Sequence, residues 1–362
     1  MTAIQAIPPF ASDFAAVSVV VCAYTDARRE LLTMCIETIL DQLSSEDELV
    51  LVIDHNDELY ENVSRQYRST ARVVQNKNER GLCGARNSGI EAATQEIVAF
   101  IDDDAQIQPG WLTGLREHYR DPAVAGVGGS AHPVWPGARP AWLPHEFDWV
   151  IGCSYRGLPK HVSPVRNFLG CNMSFRRTAL KDIGGFSKEI GRVGSISIGR
   201  ENDETEVCIR LKQSSPASRL LLDPNVAVQH WMSHDRTRLS YFLERCFSEG
   251  LSKYRLSTMV GSSDGLSDER RYVSKVLPMG LAREVIGIAS GRGKRVDHLA
   301  RSLFLIIGLA ATGTGYFNAL MRSHIPWSPT YSSLSRRRQS AFANTLRLFK
   351  SERSYKPENE VS

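Results

Sequence analysis

Three aspartates in a row, Asp102, Asp103 and Asp104, stand where the apolar run EIVAFI ends. Adjacent carboxylates repel one another, and burying them is costly unless a cation or hydrogen-bond donors compensate. A divalent ion bridging the two phosphates of a nucleotide would compensate, and hard oxygen ligands suit Mg²⁺ or Mn²⁺. Side chains alternate along a strand, so Asp102 and Asp104 are expected to point one way and Asp103 the other. On this reading Asp104 takes the metal. Asp102 takes the nucleotide ribose, or the metal through a water, and Asp103 belongs with the nucleotide-sugar-binding groups. A solvated acidic turn is the plain alternative.

A second acidic cluster, GRENDETEVCIRL, carries Glu201, Asp203, Glu204 and Glu206 just before a helical pattern. Sugar transfer with inversion needs a carboxylate to take the proton of the attacking hydroxyl. Glu204 is the candidate, with Asp203 as its orienter and Glu201 in reserve. An acidic helix start favoured by the macrodipole explains the same residues without catalysis. Further on, DPNVAVQHW reads as a short strand reaching His230. A neutral imidazole there would complete a metal shell begun by Asp104, although a single histidine after an apolar run also fits a core or a surface. In GLCGARNSG, glycines precede and enter a helix together with Arg86 and Asn87. Backbone amides at a helix start, plus one guanidinium, suit a pyrophosphate or sugar hydroxyls. The spacing is neither a dinucleotide fingerprint nor a P-loop, and a capping loop explains the glycines equally well.

These groups must be brought together by a scaffold. VSVVVCAY at 17–24 is a continuous β-branched run, as in a strand buried on both faces. RRELLTMCIETILDQL follows with apolar residues at helical spacing, then the strand-like ELVLVID at 48–54, ARVVQN at 71–76 and EIVAFID at 96–102. This alternation predicts an α/β fold with right-handed crossovers and a largely parallel sheet. In such sheets ligands gather at the carboxyl ends of the strands, where Tyr24, Asp54 and Asp102 to Asp104 all fall. The expected division is an N-terminal extension at 1–16 and a catalytic domain at 17–235. Within that domain, 17–104 is the nucleotide-sugar half and 105–235 the acceptor half. A C-terminal helical region at 236–326 and a polar basic tail at 327–362 complete the chain.

Composition bounds the reading. The 362 residues are 42% hydrophobic and 23% charged, the balance of a globular protein with a core able to shape a cleft. A net charge of +4 is too small for a dedicated nucleic-acid binder. The seven cysteines are scattered, lack any C-x-x-C pair and suggest buried thiols in a reducing compartment. The N-terminus has neither a cationic start nor a long apolar stretch, so no secretory signal is expected and the chemistry is assigned to the cytoplasm. Trp149, with Trp135, Trp142 and Trp231, falls in the acceptor half, where an aromatic face would stack on a sugar ring or simply fill the core. The stretch 299–321 is nearly uncharged, with basic residues on both sides. It reads first as a buried domain helix, next as an interfacial hairpin on an anionic leaflet, and last as a true span.

Taken together these segments resemble the inverting family 2 glycosyltransferases of the GT-A fold, over about residues 17–260. The matching pieces come in the family's order: VVVCAYTDA, LVIDHND, GLCGARNSGI, FIDDDAQIQPGWL, GCNMSFRRTALKDIGGF, DETEVCIRL and DPNVAVQHW. The resemblance implies that Ala23, Tyr24 and Asp54 line the base pocket and that Arg86 and Asp102 reach the ribose and donor sugar. It likewise implies that Asp104 and His230 hold the metal, that Asn172 lines the donor-sugar or acceptor side, and that Glu204 is the base. His55 follows Asp54 where many members carry a second aspartate, and the usual Glu-Asp pair reads Asp203-Glu204. The base assignment therefore stays open among Glu204, Asp203 and Glu201.

The implied reaction moves a sugar from a nucleotide-diphosphate sugar, foremost a UDP-sugar, to a hydroxyl acceptor, with inversion and with Mn²⁺ or Mg²⁺ bound. The acceptor is a glycan, a lipid-linked compound or a small molecule. Location is cytoplasmic, with peripheral contact at the inner face of the membrane as an option. A sugar nucleotidyltransferase is the second reading, against which CAYTDARRE stands where a phosphate loop belongs. A non-catalytic nucleotide-sugar-binding protein is the third.

Overall fold

Val17–Ala23 (β1), Glu48–Ile53 (β2) and Ile97–Asp102 (β4) are buried almost throughout, which is why their sequences are unbroken apolar runs rather than alternating ones. With Arg72–Gln75 (β3) they form a parallel unit in the order β3-β2-β1-β4. The computed structural model describes residues 15–191, 199, 201–291 and 293–323. The expected tail at 327–362 and residues 1–14 of the expected extension lie outside that set.

The crossover helices are Arg29–Leu40 (α1), Asp57–Tyr67 (α2) and Leu82–Ala92 (α3). One face of the sheet packs against Leu32, Cys35, Ile36 and Ile39 of α1 and Trp111, Leu112 and Leu115 of Trp111–Tyr119 (α4). The opposite face packs against Cys83, Ala85 and Ile90 of α3 and Leu180 of Arg177–Asp182 (α5). Val207 and Leu211 of Asp203–Ser214 (α6) join them there.

Beyond β4 the sheet changes character. Ala105–Ile107 (β5), Val124–Val134 (β6), Ser163–Pro164 (β7), Asn172–Arg176 (β8) and Arg219–Trp231 (β9) continue the order as β4-β8-β6-β9-β5, with β7 also on β9. β8 runs antiparallel to both β4 and β6, β6 and β9 are parallel, and β5 is antiparallel to β9. The parallel sheet expected from the alternation is therefore confined to the first four strands and the β6–β9 pair. In the second half antiparallel pairs join strands distant in the chain, β4 with β8 and β5 with β9, so local alternation does not dictate the pairing there. All seven cysteines are free and all but Cys22 are buried.

The C-terminal part is helical, as the sequence predicts. Leu239–Val260 (α7) is followed by Ser262–Gly265 (α8), Ser267–Arg271 (α9), Leu277–Ser290 (α10) and Arg295–Ser323 (α11). Helix α11 lies along α7 with their backbones in close approach. A side chain placed on Gly250 or Gly315 would run into the main chain of the other helix. Only part of α11 is covered, by Leu305, Gly308 and Gly315 facing inward. The buried domain helix that heads the sequence-based readings is thus covered on one face and open on the other.

Candidate active site

Strand pairing assembles the first cluster. The short β5 lies antiparallel to β9 with Ala105 opposite His230, so the imidazole arrives beside the aspartates that precede Ala105. Nε2 of His230 lies 3.1 Å from Asp104 Oδ1, and the Asp104 carbonyl accepts from the Trp231 amide. On its other side, Nδ1 of His230 lies 3.2 Å from the Gly152 carbonyl. An acceptor there keeps the proton on Nδ1 and aims Nε2 at the aspartates. Gly152 adopts φ +80°, and a Cβ at that position would sit 3.1 Å from His230 Cε1. The glycine is required twice over, by conformation and by space.

Ligand atoms of Asp102, Asp104 and His230 all lie within 4.8 Å of one another. Two carboxylates and one imidazole, with Asp102 half-exposed beside the cavity, suit a divalent cation that keeps open positions for phosphate oxygens. Asp102 and Asp104 converge as the strand alternation predicts. Asp103 turns to the Arg28 guanidinium, which donates to it at 2.6 Å and to Asp104 at 3.1 Å. Burial pushes Asp103 up to about 7 against the opposing pull of Arg28. Burial works the same way on Asp104, but His230, Arg236 and Arg28 outweigh it and hold that carboxyl below its usual range. Burial disfavours a charged imidazole at His230, yet Asp104 and then Cys171 lift it to about 10.

The second cluster sits at the start of α6, where Asp203, Glu204 and Glu206 occupy the first turn and complement the macrodipole. The three acids have separate environments. Glu206 is bound by Arg210, whose guanidinium also donates to the Ile183 and Gly185 carbonyls. Asp203 is gripped by Arg86. Glu204 lines the cavity, its Oε1 accepting from Thr205 at 3.1 Å. Burial, then the neighbouring Asp203 charge, push Glu204 up to about 7. Glu201 is buried against α7, accepting from Ser248 at 2.6 Å, and its second oxygen has no hydrogen-bond partner among the described residues.

One cavity of about 270 Å³ runs between the two clusters. Asp102, His230, Arg86, Asp203, Glu204 and Trp149 are among its walls, as are Tyr241, Arg245, Glu249 and Lys253 of α7. The Trp149 indole donates to the Tyr272 hydroxyl at 3.1 Å, and the Arg245 guanidinium lies 5.9 Å from its ring centre.

Other expected site residues lie elsewhere. Asp54, at the end of β2, spends its carboxylate on Asn76, His55 and the Gly81 amide, and so fixes the loop that starts α3. Ala23 is buried and its carbonyl accepts from the Asp54 amide, while Tyr24 is exposed beside Arg28. Ala23 ends β1 and Tyr24 follows it, both outside the cavity. Asn87 is tied at both amide atoms to the Phe186 backbone. Asn172 is 1% exposed and donates to the Ser130 and Val226 carbonyls while accepting from the Trp111 indole. Its amide pins β8 to its neighbours instead of lining the cavity.

Arg28 and Arg236 are site residues that the sequence reading passed over. Arg236 donates to the Ile151 carbonyl at 2.9 Å and brings Nη2 to 3.7 Å from Asp104. The available signal was an arginine in the loop after the first strand and another in the loop after the histidine strand, both at strand ends that gather ligand groups.

Comparison with known proteins bears on this geometry. Residues 18–184 match the family described as glycosyl transferase family 2. The chain is 30% identical over 312 residues to a glucosyl-dolichyl phosphate glucuronosyltransferase of Haloferax volcanii, covering 85% of this chain and 97% of that one. It is 26% identical over 284 residues to a pre-mycofactocin glycosyltransferase of Mycobacterium tuberculosis, covering 73% and 57% respectively. Among solved structures, a mannosyltransferase of Pyrobaculum calidifontis in complex with GDP-Man and Mn²⁺ aligns over 90% of this chain and 79% of that one. Its TM-score is 0.48 at 17% identity.

Proposed function

Because the chain belongs to the family 2 glycosyltransferases and is an enzyme that uses a nucleotide-sugar donor, we propose that it moves a sugar from a UDP-sugar to a hydroxyl of a lipid-linked acceptor, with inversion. The reading places the work at the surface of a membrane, on its cytoplasmic side. The observation that carries it is the convergence of Asp102, Asp104 and His230, of which Asp102 and His230 line a cavity that Glu204 also lines. Support for a lipid-linked acceptor comes from the Haloferax relative, whose name specifies a dolichyl phosphate compound.

Asp102, Asp104 and His230 would hold Mn²⁺ or Mg²⁺. Bound there, the ion supplies positive charge to the diphosphate as it leaves. The chain's own residues do the rest. Glu204 accepts the proton of the acceptor hydroxyl as the new C–O bond forms on the face opposite the departing oxygen. Arg86 holds Asp203 beside Glu204, keeping the base end of the cavity in place. Arg28 and Arg236 offer guanidinium groups on the leaving-group side, where fixed positive charge stabilises developing negative charge. Trp149 offers an aromatic wall for the acceptor.

Thermal shift with UDP-, GDP- and dTDP-sugars, with and without Mn²⁺, tests the donor and the metal together. A ligand at a hundredfold its dissociation constant stabilises the fold by about 2.7 kcal/mol. Stabilisation by a UDP-sugar that needs Mn²⁺ is the expected result. Stabilisation by a different nucleotide reassigns the donor, and none by any of them removes the proposal. The anomeric configuration of the product, read by proton coupling, decides inversion.

A further inference from the structure

The open face of α11 is a stripe. Leu299, Leu303, Ile306, Ala310, Gly313 and Phe317 are exposed at helical spacing, and Met321 continues the row. From Leu299 to Met321 the stripe runs about 33 Å at the ordinary helical rise, without a charge. Helix α10 adds Met279, Val285 and Ile286, each more than half exposed. A surface of this length and composition is not left to water without a partner.

Charge identifies the partner. Arg270, Arg271, Lys275, Lys294, Arg295 and Arg322 are exposed before, between and after the two helices. Among the described residues of 270–323 no carboxylate is exposed, since Glu284 is buried and Asp297 is half-buried. The next exposed acid along the chain before this segment, Asp268, lies 3.6 Å from Arg166. An apolar stripe with unopposed cations at its ends matches a leaflet of anionic lipid, where apolar side chains enter the acyl boundary and cations meet headgroups.

A crossing of the bilayer does not fit the packing. The covered face of α11 is locked against α7 at Gly250 and Gly315, and α7 carries Arg245, Glu249 and Lys253 into the cavity. Inserting α11 would strip it from that helix or drag charged groups into hydrocarbon. This packing suits a helix lying along a membrane surface rather than through it. The same element closes the active cavity, because Leu309 and Thr312 of α11 and Val273 before α10 are part of its wall.

We infer that the α10–α11 hairpin is a monotopic docking surface for an anionic bilayer, and that it presents the acceptor end of the cavity to the lipid, so that a lipid-linked acceptor enters from the membrane side. The last clause rests on the sugar-transfer reading above; the docking itself does not.

Full-length protein is sedimented with vesicles of phosphatidylcholine alone and of phosphatidylcholine with phosphatidylglycerol, at low and high salt. Partition onto the anionic vesicles should be at least roughly tenfold stronger and should weaken with salt. The double variant Leu303→Glu, Ile306→Glu, on the exposed stripe, should lose binding by roughly tenfold or more while melting temperature and hydrolysis of donor in water stay unchanged. Equal binding by the variant, or none by the native chain, overturns the inference. So does a native dimer that the same substitutions dissociate, which would make a second copy the occupant. Vesicle binding by a protein that turns over no donor would instead sink the sugar-transfer reading and leave the docking surface standing.

Discussion

Arg86 ties the two acidic clusters together: one guanidinium nitrogen grips Asp203 at the start of α6, and the other lies 3.5 Å from Asp102 Oδ1 at the end of β4. The second nitrogen also donates to the Gly170 carbonyl at 2.8 Å, and the group lies over the rings of Phe100 and Phe186. At 2% exposure it is largely shielded from water, so the guanidinium and the buried Asp203 carboxylate depend on one another.

Replacing Arg86 by Met should therefore cost about 3 kcal/mol or more, because Asp203 is left buried and unpaired. Urea unfolding reads the loss as a lower midpoint. Arg86→Lys keeps the charge but not the fork that reaches both carboxylates, so stability should recover in part while turnover stays low. Full activity in the lysine variant would show that the fork has no positioning role.

Burial, followed by the Asp203 charge, raises Glu204 to about 7. A base works only when ionised, so kcat/KM should climb with pH through about 7 and then level off. The sign for stability is the reverse. The folded chain holds this proton to a higher pH than the unfolded one, so Glu204 contributes stability at low pH that is lost as pH rises toward 7. Glu204→Gln should remove the rising limb and lower kcat by roughly 10²- to 10⁴-fold while donor affinity is kept. A variant that retains the limb hands the base role to Glu201 or Asp203.

Much of the nucleotide half is legible in the sequence because β1, β2 and β4 are buried on both faces and show it as unbroken apolar runs ending in carboxylates. The second half is less so. Whether β8 and β6 run antiparallel depends on partners distant in the chain, and no local periodicity records it. His230 could be suspected from its strand, but its approach to Asp104 is set by the β5–β9 register. Asn172 misled for a related reason. The family resemblance implies a residue lining the donor-sugar or acceptor side, yet the amide satisfies two backbone carbonyls and an indole where strands meet. Arg28 and Arg236 were missed because loop geometry, rather than spacing, points them at the aspartates.

Asp104→Ala should abolish Mn²⁺-dependent donor binding and reduce kcat/KM by roughly 10²- to 10³-fold, the scale of losing one electrostatic stabiliser of a leaving group. Calorimetry of the UDP-sugar with and without Mn²⁺ checks it. Asp103→Asn makes the contrast. Asp103 faces Arg28 and lies outside the set that converges with His230, so this variant should retain the metal dependence. If both variants bind donor normally, the ion sits elsewhere.

Gly152 offers a test that leaves every charged group in place. At φ +80° an alanine there costs about 1 kcal/mol or more in backbone strain, and its methyl would press on His230 Cε1 from 3.1 Å. The imidazole must tilt, and its Nε2 moves relative to Asp104. Because the Gly152 carbonyl also holds Nδ1, the tilt loosens the contact that orients the ring. Mn²⁺ affinity should fall by roughly tenfold or more, the usual range for disturbing a group that orients a metal ligand. Thermal melting should show the fold intact. An alanine variant with native Mn²⁺ affinity would mean that His230 does not need this orientation, and the imidazole would drop out of the metal set.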